Sequence, residues 1–308
     1  TNQFLNTKEF KKQIAPSYVL AVVELSQSEY ARTVVDNSAT EEQKKEAERV
    51  AISHAWYEYN NYDSALLLGY VERHPYIIGK NINNAESSFY RTLAVKLKRI
   101  SNQDICRPGD LLIPLVDAYS SRFMSLVHIP STPDNKGKFF KPFYTGISPI
   151  GLCCELINLD CHYWEKLESK IPEEEFLRWN FDNPYPLKYT FREHVDKLYI
   201  CEGIATGLSL LEILENKVPV ICAMSCHNML NVAKAWHSRL TQNPNHRHIK
   251  IIIAADNDES GPGIKKADEI IQAGYAVNKV TPPIQGHDWN DFLIYSRKNA
   301  NDRISIQK

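Results

Sequence analysis

From Lys197 onward, short apolar runs alternate with segments whose apolar residues recur at helical spacing. The pattern predicts strands at 197–202, 218–224, 249–256 and 276–281, followed by helices at 205–216, 228–240, 262–274 and about 289–298. Such β–α alternation predicts a Rossmann-like parallel sheet with helices on both faces, an α/β fold.

The upstream pattern is different. Residues 40–60 carry apolar positions at helical spacing, and residues 111–144 contain three short β-rich runs, LLIPLVD, FMSLVHI and KFFKPFY. Residues 165–190 are acidic and punctuated by proline, whereas residues 1–39 give no clear pattern. We therefore expect four parts: an N-terminal helical segment at 1–60, a basic α+β subdomain at 61–160, a linker or insertion at 161–196, and an α/β domain at 197–308.

Composition narrows the class of protein. The chain is 43% hydrophobic, and it has neither an apolar run of membrane-spanning length nor a signal-peptide core at the start of the sequence. The seven cysteines are irregularly spaced and predict reduced thiols. These features predict a cytoplasmic protein with no membrane partner.

Charge is balanced overall but uneven along the chain. The formal net charge is −1, yet residues 61–150 carry 11 Lys and Arg against 7 Asp and Glu, whereas residues 151–197 carry 6 against 10. The basic stretch is compatible with phosphate binding, although solvated surface charge gives a similar count.

Carboxylates follow two of the predicted strands. Glu202 ends the first strand before Gly203, and Asp256 and Asp258 end the third. The carboxyl ends of parallel strands meet at one edge of the sheet, where α/β folds place their sites. Two further acids, Asp288 and Asp291, lie in the segment GHDWNDF. Their hard oxygen ligands suit Mg²⁺ or Mn²⁺.

Each acid also has a structural interpretation. A Glu before a Gly is common at the end of a strand, Asp-Asn-Asp before Ser260 can form a turn that caps the next helix, and Asp288 can cap the last helix. Cys222, Cys226 and His227 lack the second ligand pair of a zinc site, so the two cysteines are predicted to be core residues. Cys153, Cys154 and Cys161 are predicted to be core residues as well.

The order of these segments resembles the Toprim domain, which DnaG-type primases, topoisomerases and some nucleases share. Glu202-Gly203 is similar to its Glu-Gly motif, and Asp256-Asn257-Asp258 is similar to its Asp-x-Asp motif. Upstream motifs extend the resemblance to the primases of plasmids and satellite phages, over roughly residues 40–295. They are His74-Pro75-Tyr76-Ile77 with Lys80, Leu111 to Leu115 with Asp117, Ser125 to Ile129, and Lys138 before Gly146.

The resemblance implies a primase catalytic core, which makes short primers from nucleoside triphosphates on a single-stranded DNA template. It implies catalytic roles for Glu202, Asp256 and Asp258, metal ligation by these three and by Asp288 and Asp291, and Mg²⁺ or Mn²⁺ as cofactor. Candidate contacts to nucleic acid or nucleotide are the basic residues Lys80, Arg91, Lys138, Lys141, Lys265 and Lys266. Lysines of a solvated helix surface are the alternative for the last two.

Two other functions use the same motifs. The acids suit a Toprim nuclease that activates water, and the fold suits a replication accessory protein that binds nucleic acid without catalysis. The sequence departs from the family at Ser120-Ser121, at His128, and in lacking both a zinc module and a helicase-type nucleotide-binding loop. Template selection and unwinding must therefore come from elsewhere, with a replicative helicase as the candidate partner, or be absent.

Overall fold

The computed structural model describes residues 40–60, 71–83, 96–97, 109–143, 147–157, 162–164, 189–258 and 261–299. Predictions for residues 1–39, for Arg91, for Cys161 and for most of the segment 161–196 lie outside these ranges. None of the helices in these ranges is long and apolar enough to cross a lipid bilayer.

The upstream part combines helices with short strands. Helix α1 confirms the helix predicted at 40–60, and strands β2 and β3 confirm the first two β-rich runs. The elements are α1 (Glu41–Asn60), a 3₁₀ turn (Val71–Arg73), α2 (Pro75–Gly79), β1 (Lys96–Leu97), β2 (Leu111–Asp117), β3 (Phe123–Ile129), β4 (Leu152–Leu156), β5 (His162–Trp164) and β6 (Tyr189–Phe191).

The third β-rich run was predicted wrongly as a strand. Phe143 makes a single isolated β-bridge to Val127, and residues 138–143 form no strand beyond this bridge. Pro142 has no N–H to donate, and the Asp134 carboxylate accepts the backbone N–H of Lys138 at 2.8 Å. Side-chain capping and proline thus compete with strand pairing in this segment.

From Lys197 the chain alternates strand and helix as predicted, with slightly shorter elements. They are β7 (Lys197–Cys201), α3 (Ile204–Ile213), β8 (Val220–Cys222), a 3₁₀ turn (Cys226–Asn228), α4 (Met229–Gln242), β9 (Lys250–Ala254), α5 (Pro262–Gln272), β10 (Asn278–Val280) and α6 (Trp289–Lys298).

One mixed sheet runs through both parts of the chain. Strands β8, β7, β9 and β10 are parallel neighbours in that order, with Tyr199 opposite both Val220 and Ile252. On the other side of β8, β4 pairs antiparallel and continues the sheet through β2 to β1, with β3 also paired to β2. The parallel arrangement is confirmed for the C-terminal strands, which are joined directly to the antiparallel upstream strands.

Two apolar cores cover the two faces of the sheet. One packs α2, α3 and α6 against it, with Trp289 and Phe292 buried, and the other packs α4 and α5, with Trp236 buried. At Gly207 on α3 an added Cβ would collide with the sulfur of Cys222, so glycine permits the close approach of this helix to β8. Helices on both faces are therefore confirmed, and Cys153, Cys154 and Cys222 are buried in these cores.

Candidate active site

Glu202 lies at the carboxyl end of β7. The strand ends at Cys201, Gly203 has an extended backbone, and α3 begins at Ile204. The Glu202 side chain is half-buried, and its negative charge raises the pKa of both Asp256 and Lys141. The first predicted acid therefore belongs to a cluster of charged groups.

Asp256 and Asp258 lie in the loop that leaves β9. Between them, Asn257 pairs with the loop before α6: its backbone N–H donates to His287 at 3.1 Å, and its carbonyl accepts from Gly286 at 2.6 Å. The Asn257 amide donates to Pro282 at 2.9 Å. These bonds fix the loop against the segment that carries Asp288.

The Asp256 carboxyl is in an electrostatically unfavourable environment. Burial, followed by the negative charges of Asp288 and Glu202, raises its pKa to about 7. The backbone N–H of Trp289 opposes this shift, and Asp258 adds to it. One oxygen, Oδ1, is buried and accepts no hydrogen bond. The Oδ1 atom of an ionised Asp256 therefore has no hydrogen-bond donor to compensate its charge.

Asp258 has a simpler environment. It is exposed, and its Oδ1 accepts the backbone N–H of Gly261 at 3.0 Å, one residue before α5. Gly261 itself has a left-handed backbone, with φ of 66°. Asp258 therefore caps the turn, as the structural interpretation of the sequence proposed. Its negative charge also raises the pKa of Asp256.

Asp288 and Asp291 form a reciprocal cap at the start of α6. Asp288 Oδ1 accepts the N–H of Asp291 at 2.7 Å, and Asp291 Oδ2 accepts the N–H of Asp288 at 3.2 Å. The cap leaves Asp288 Oδ2 facing Lys80. Asp291 is exposed and one of its oxygens is engaged in the cap, so it is less well placed than Asp288 to act with the cluster.

Two lysines from the upstream part of the chain approach these acids. Lys80 Nζ lies 3.8 Å from Asp288 Oδ2. Lys141 is exposed as a whole residue, but its ammonium group is surrounded by protein atoms. This burial, followed by the charge of Lys80, lowers the pKa of Lys141, whereas the charges of Glu202 and Asp288 raise it. Its Nζ lies 4.9 Å from the centre of the Tyr76 ring. The cluster thus combines carboxylates with ammonium groups.

The other predicted basic residues contribute less to this cluster. Lys138 and Lys265 are exposed, and Lys266 forms an ion pair with Glu269. The charge of Lys266 lowers the pKa of the Cys226 thiol, whereas the charge of Glu202 raises it.

Sequence reasoning wrongly predicted Cys226 as a core residue, and it missed Tyr76 and Asn290 as neighbours of the acids. Cys226 is half-buried, and burial, followed by the charge of Glu202, raises the pKa of its thiol. Tyr76 packs under Lys141, and Asn290 donates to the main chain of Lys80 at 2.7 Å. Tyr76 and Asn290 stand inside the matched words and could have been noticed there, but only the fold reveals their contacts.

The donor chemistry fits a hard divalent cation. Asp256 offers a buried oxygen without a partner, and Glu202 and Asp288 add negative charge next to it. Within the described residues, no three His, Cys, Asp or Glu side chains already converge as a ligand set. A cation would therefore draw these carboxylates together and relieve their repulsion.

Solved structures of primases are among those similar to this chain. A DnaG catalytic core is 13% identical with a TM-score of 0.35, covering 63% of this chain and 52% of that one. A DnaG primase catalytic domain bound to ssDNA is 10% identical with a TM-score of 0.40, covering 84% and 81%. The Aquifex aeolicus primase with its zinc-binding and RNA polymerase domains is 15% identical with a TM-score of 0.43, covering 84% and 60%. The chain thus spans about half of the first of these structures.

A family comparison addresses the C-terminal part of the chain directly. Residues 197–298 match the sequence model of the Toprim domain. The matched range begins with β7, includes the loop that carries Asp256 and Asp258, and ends with α6. Residues 197–298 are therefore a Toprim domain.

Proposed function

We propose that this protein is a DNA primase catalytic core, a nucleotidyltransferase that synthesises short primers from nucleoside triphosphates on single-stranded DNA. The observation that carries the proposal is the meeting of Toprim acids with Lys80 and Lys141, which come from the upstream part of the chain. Carboxylates suit divalent cations, and ammonium groups suit the phosphates that such cations accompany.

Glu202, Asp256 and Asp258 are the proposed catalytic residues. Asp256 would hold Mg²⁺ or Mn²⁺ with Glu202 and Asp258, and Asp288 would support them from the cap of α6. When bound, such a cation neutralises phosphate charge and orients reacting oxygens. Glu202 would in addition hold or accept the proton of the attacking hydroxyl, which needs a carboxylate within hydrogen-bond reach.

Lys80 and Lys141 would bind the triphosphate of the incoming nucleotide. Both ammonium groups already lie beside the acids, so an anionic ligand gains two cations without a large rearrangement. Lys138, Lys265, Lys266 and Arg91 would contact nucleic acid or phosphate further out. The basic unit predicted at 61–160 would then hold template, and the Toprim domain would carry the chemistry.

The upstream words resembling plasmid and satellite-phage primases support replication of such elements as the biological setting. A replicative helicase in the cytoplasm is the proposed partner, because primer synthesis needs a single-stranded template.

A primer-synthesis assay tests the function. The protein is incubated with single-stranded DNA, labelled ribonucleotides or deoxyribonucleotides and Mg²⁺ or Mn²⁺, and products are sized on a gel, with EDTA as control. We expect short products that require template and metal. Shortened DNA without extension would instead establish the Toprim nuclease, and DNA binding without either reaction would establish the accessory protein.

A further inference from the structure

The turn after α2 carries Lys80 and is bonded both to α2 through its backbone N–H groups and to side chains of the Toprim domain. Helix α2 has only five residues and ends at Gly79, and Asn81 adopts a left-handed backbone with φ of 50°. A left-handed conformation is uncommon for residues other than glycine, although asparagine tolerates it better than most. Such a turn keeps one conformation only when its surroundings fix it.

Asn290 provides the first fixed point. Its amide Nδ2 donates to the carbonyl of Lys80 at 2.7 Å and to Ser209 Oγ at 3.0 Å, and the side chain is buried. Asn290 stands two residues after Asp288, the partner of the Lys80 ammonium. The first turn of α6 therefore holds both the backbone and the side-chain end of the same lysine.

The ion pair of Arg297 with Glu212 provides the second fixed point. Both side chains are largely buried, at 15% and 14% exposure. Arg297 also donates to the carbonyl of Asn81, and Glu212 accepts the backbone N–H of Asn83 at 3.2 Å. Consecutive parts of the turn 80–83 thus bond to side chains of α3 and α6.

We propose that Asn290, supported by the Arg297–Glu212 pair, is a positioning residue that fixes the Lys80 ammonium at the acidic edge for contact with a polyphosphate. A lysine has a long flexible side chain, and binding a phosphate through it is more favourable when its backbone is already fixed. The structural half of this inference stands on hydrogen bonds, whereas its functional half rests on the function proposed above.

Amide hydrogen exchange tests the structural half in the metal-free protein. Asn290→Ala should speed exchange at residues 80–83 by about 10-fold, because the turn loses its central bond. The matched control is Asn228→Ala: Asn228 is another buried asparagine whose amide bridges two main-chain carbonyls, those of Leu152 and Ala223. Unchanged exchange at 80–83 in Asn290→Ala would overturn the anchoring.

A double-mutant cycle tests the functional half. Calorimetry with inorganic triphosphate and Mn²⁺ should show about 10-fold weaker binding for Asn290→Ala and for Lys80→Met, with no further loss in the double variant. An equal extra loss in the Lys80→Met background would overturn the inference, since Asn290 would then act independently of the lysine. A wild-type protein that binds no triphosphate would refute the proposed function, and the exchange result would still decide the anchoring.

A second pair of variants keeps the test decisive if Asn290→Ala does not fold. Arg297→Met should speed exchange at 80–83 and weaken triphosphate binding only when Lys80 is present. Arg239→Met is its control, because Arg239 forms the comparable buried pair with Glu155 and bonds Ser121 instead of the Lys80 turn. Identical effects of the two arginine variants would contradict a specific role for the Asn81–Arg297 contact.

Discussion

Asp256 and Asp258 are two residues apart in one motif but lie in different environments. Asp256 is half-buried beside two other acids, keeps one buried oxygen without a hydrogen bond, and has a pKa raised to about 7. Asp258 is exposed and accepts a hydrogen bond from Gly261 at the turn into α5. The difference indicates that Asp256 bears most of the electrostatic cost of the site, which a divalent cation would remove.

The comparison predicts unequal effects of the two conservative substitutions on primer synthesis. Asp256→Asn should lower the rate about 1,000-fold, since it removes the carboxylate with a free buried oxygen. Asp258→Asn should lower it about 10-fold, because its amide oxygen can still accept from Gly261. Steady-state rates at saturating Mn²⁺ measure both, and equal losses would break the distinction.

Glu202 sharpens the comparison from the neighbouring strand. Glu202→Gln keeps the shape and removes the charge, so synthesis should fall by about 100-fold, the scale of lost general acid or base assistance. Fluorescence anisotropy should show nearly unchanged affinity for single-stranded DNA, which depends on cations elsewhere. A variant that retains full synthesis would exclude a catalytic role for Glu202.

Stability of the metal-free protein should depend on pH through Asp256. Its pKa is about 7 in the folded protein but about 3.9 in an unfolded chain, so the stabilising contribution is complete below about pH 4 and is lost as the pH rises through about 7. Asp256→Asn should therefore be about 4 kcal/mol more stable than wild type at about pH 8 in EDTA, and nearly equal at about pH 4. Urea unfolding at both pH values measures this, and parallel curves would argue against the raised pKa.

The lysines should show effects as small as that of Asp258→Asn. Lys80→Met and Lys141→Met should each raise the KM for nucleoside triphosphate about 10-fold, because each removes one cation beside the acids. Lys217→Met is the control, since Lys217 forms an exposed ion pair with Glu215. A change confined to kcat would place the lysines in the chemical step instead of in binding.

The sequence predicted the part of the chain from Lys197 onward well because its signal is local. Apolar runs that end in Glu202 and in Asp256 mark strand ends directly, and the structure places both at one edge of the sheet. The run 138–143 was mistaken for a strand because hydrophobic composition does not reveal that the Asp134 carboxylate accepts the backbone N–H groups of Lys136 and Lys138.

The assembly of the site was beyond local reasoning. Lys80 and Asp288 are far apart in sequence, and only the packing of α2 against α3 and α6 brings them together. Likewise, the buried oxygen of Asp256 depends on tertiary contacts that no motif encodes. The cap made by Asp288 and Asp291 is local by contrast, and its spacing of three residues is visible in the sequence.

Calorimetric titration of Mn²⁺ into the metal-free wild type, Asp256→Asn and Asp258→Asn tests the central claim most directly. We expect saturable binding to the wild type, proton release on binding at about pH 6 as Asp256 loses its proton, and loss of binding in Asp256→Asn with a smaller decrease in Asp258→Asn. Mn²⁺ binding of unchanged affinity in Asp256→Asn would contradict the claim that this carboxylate is the centre of the site.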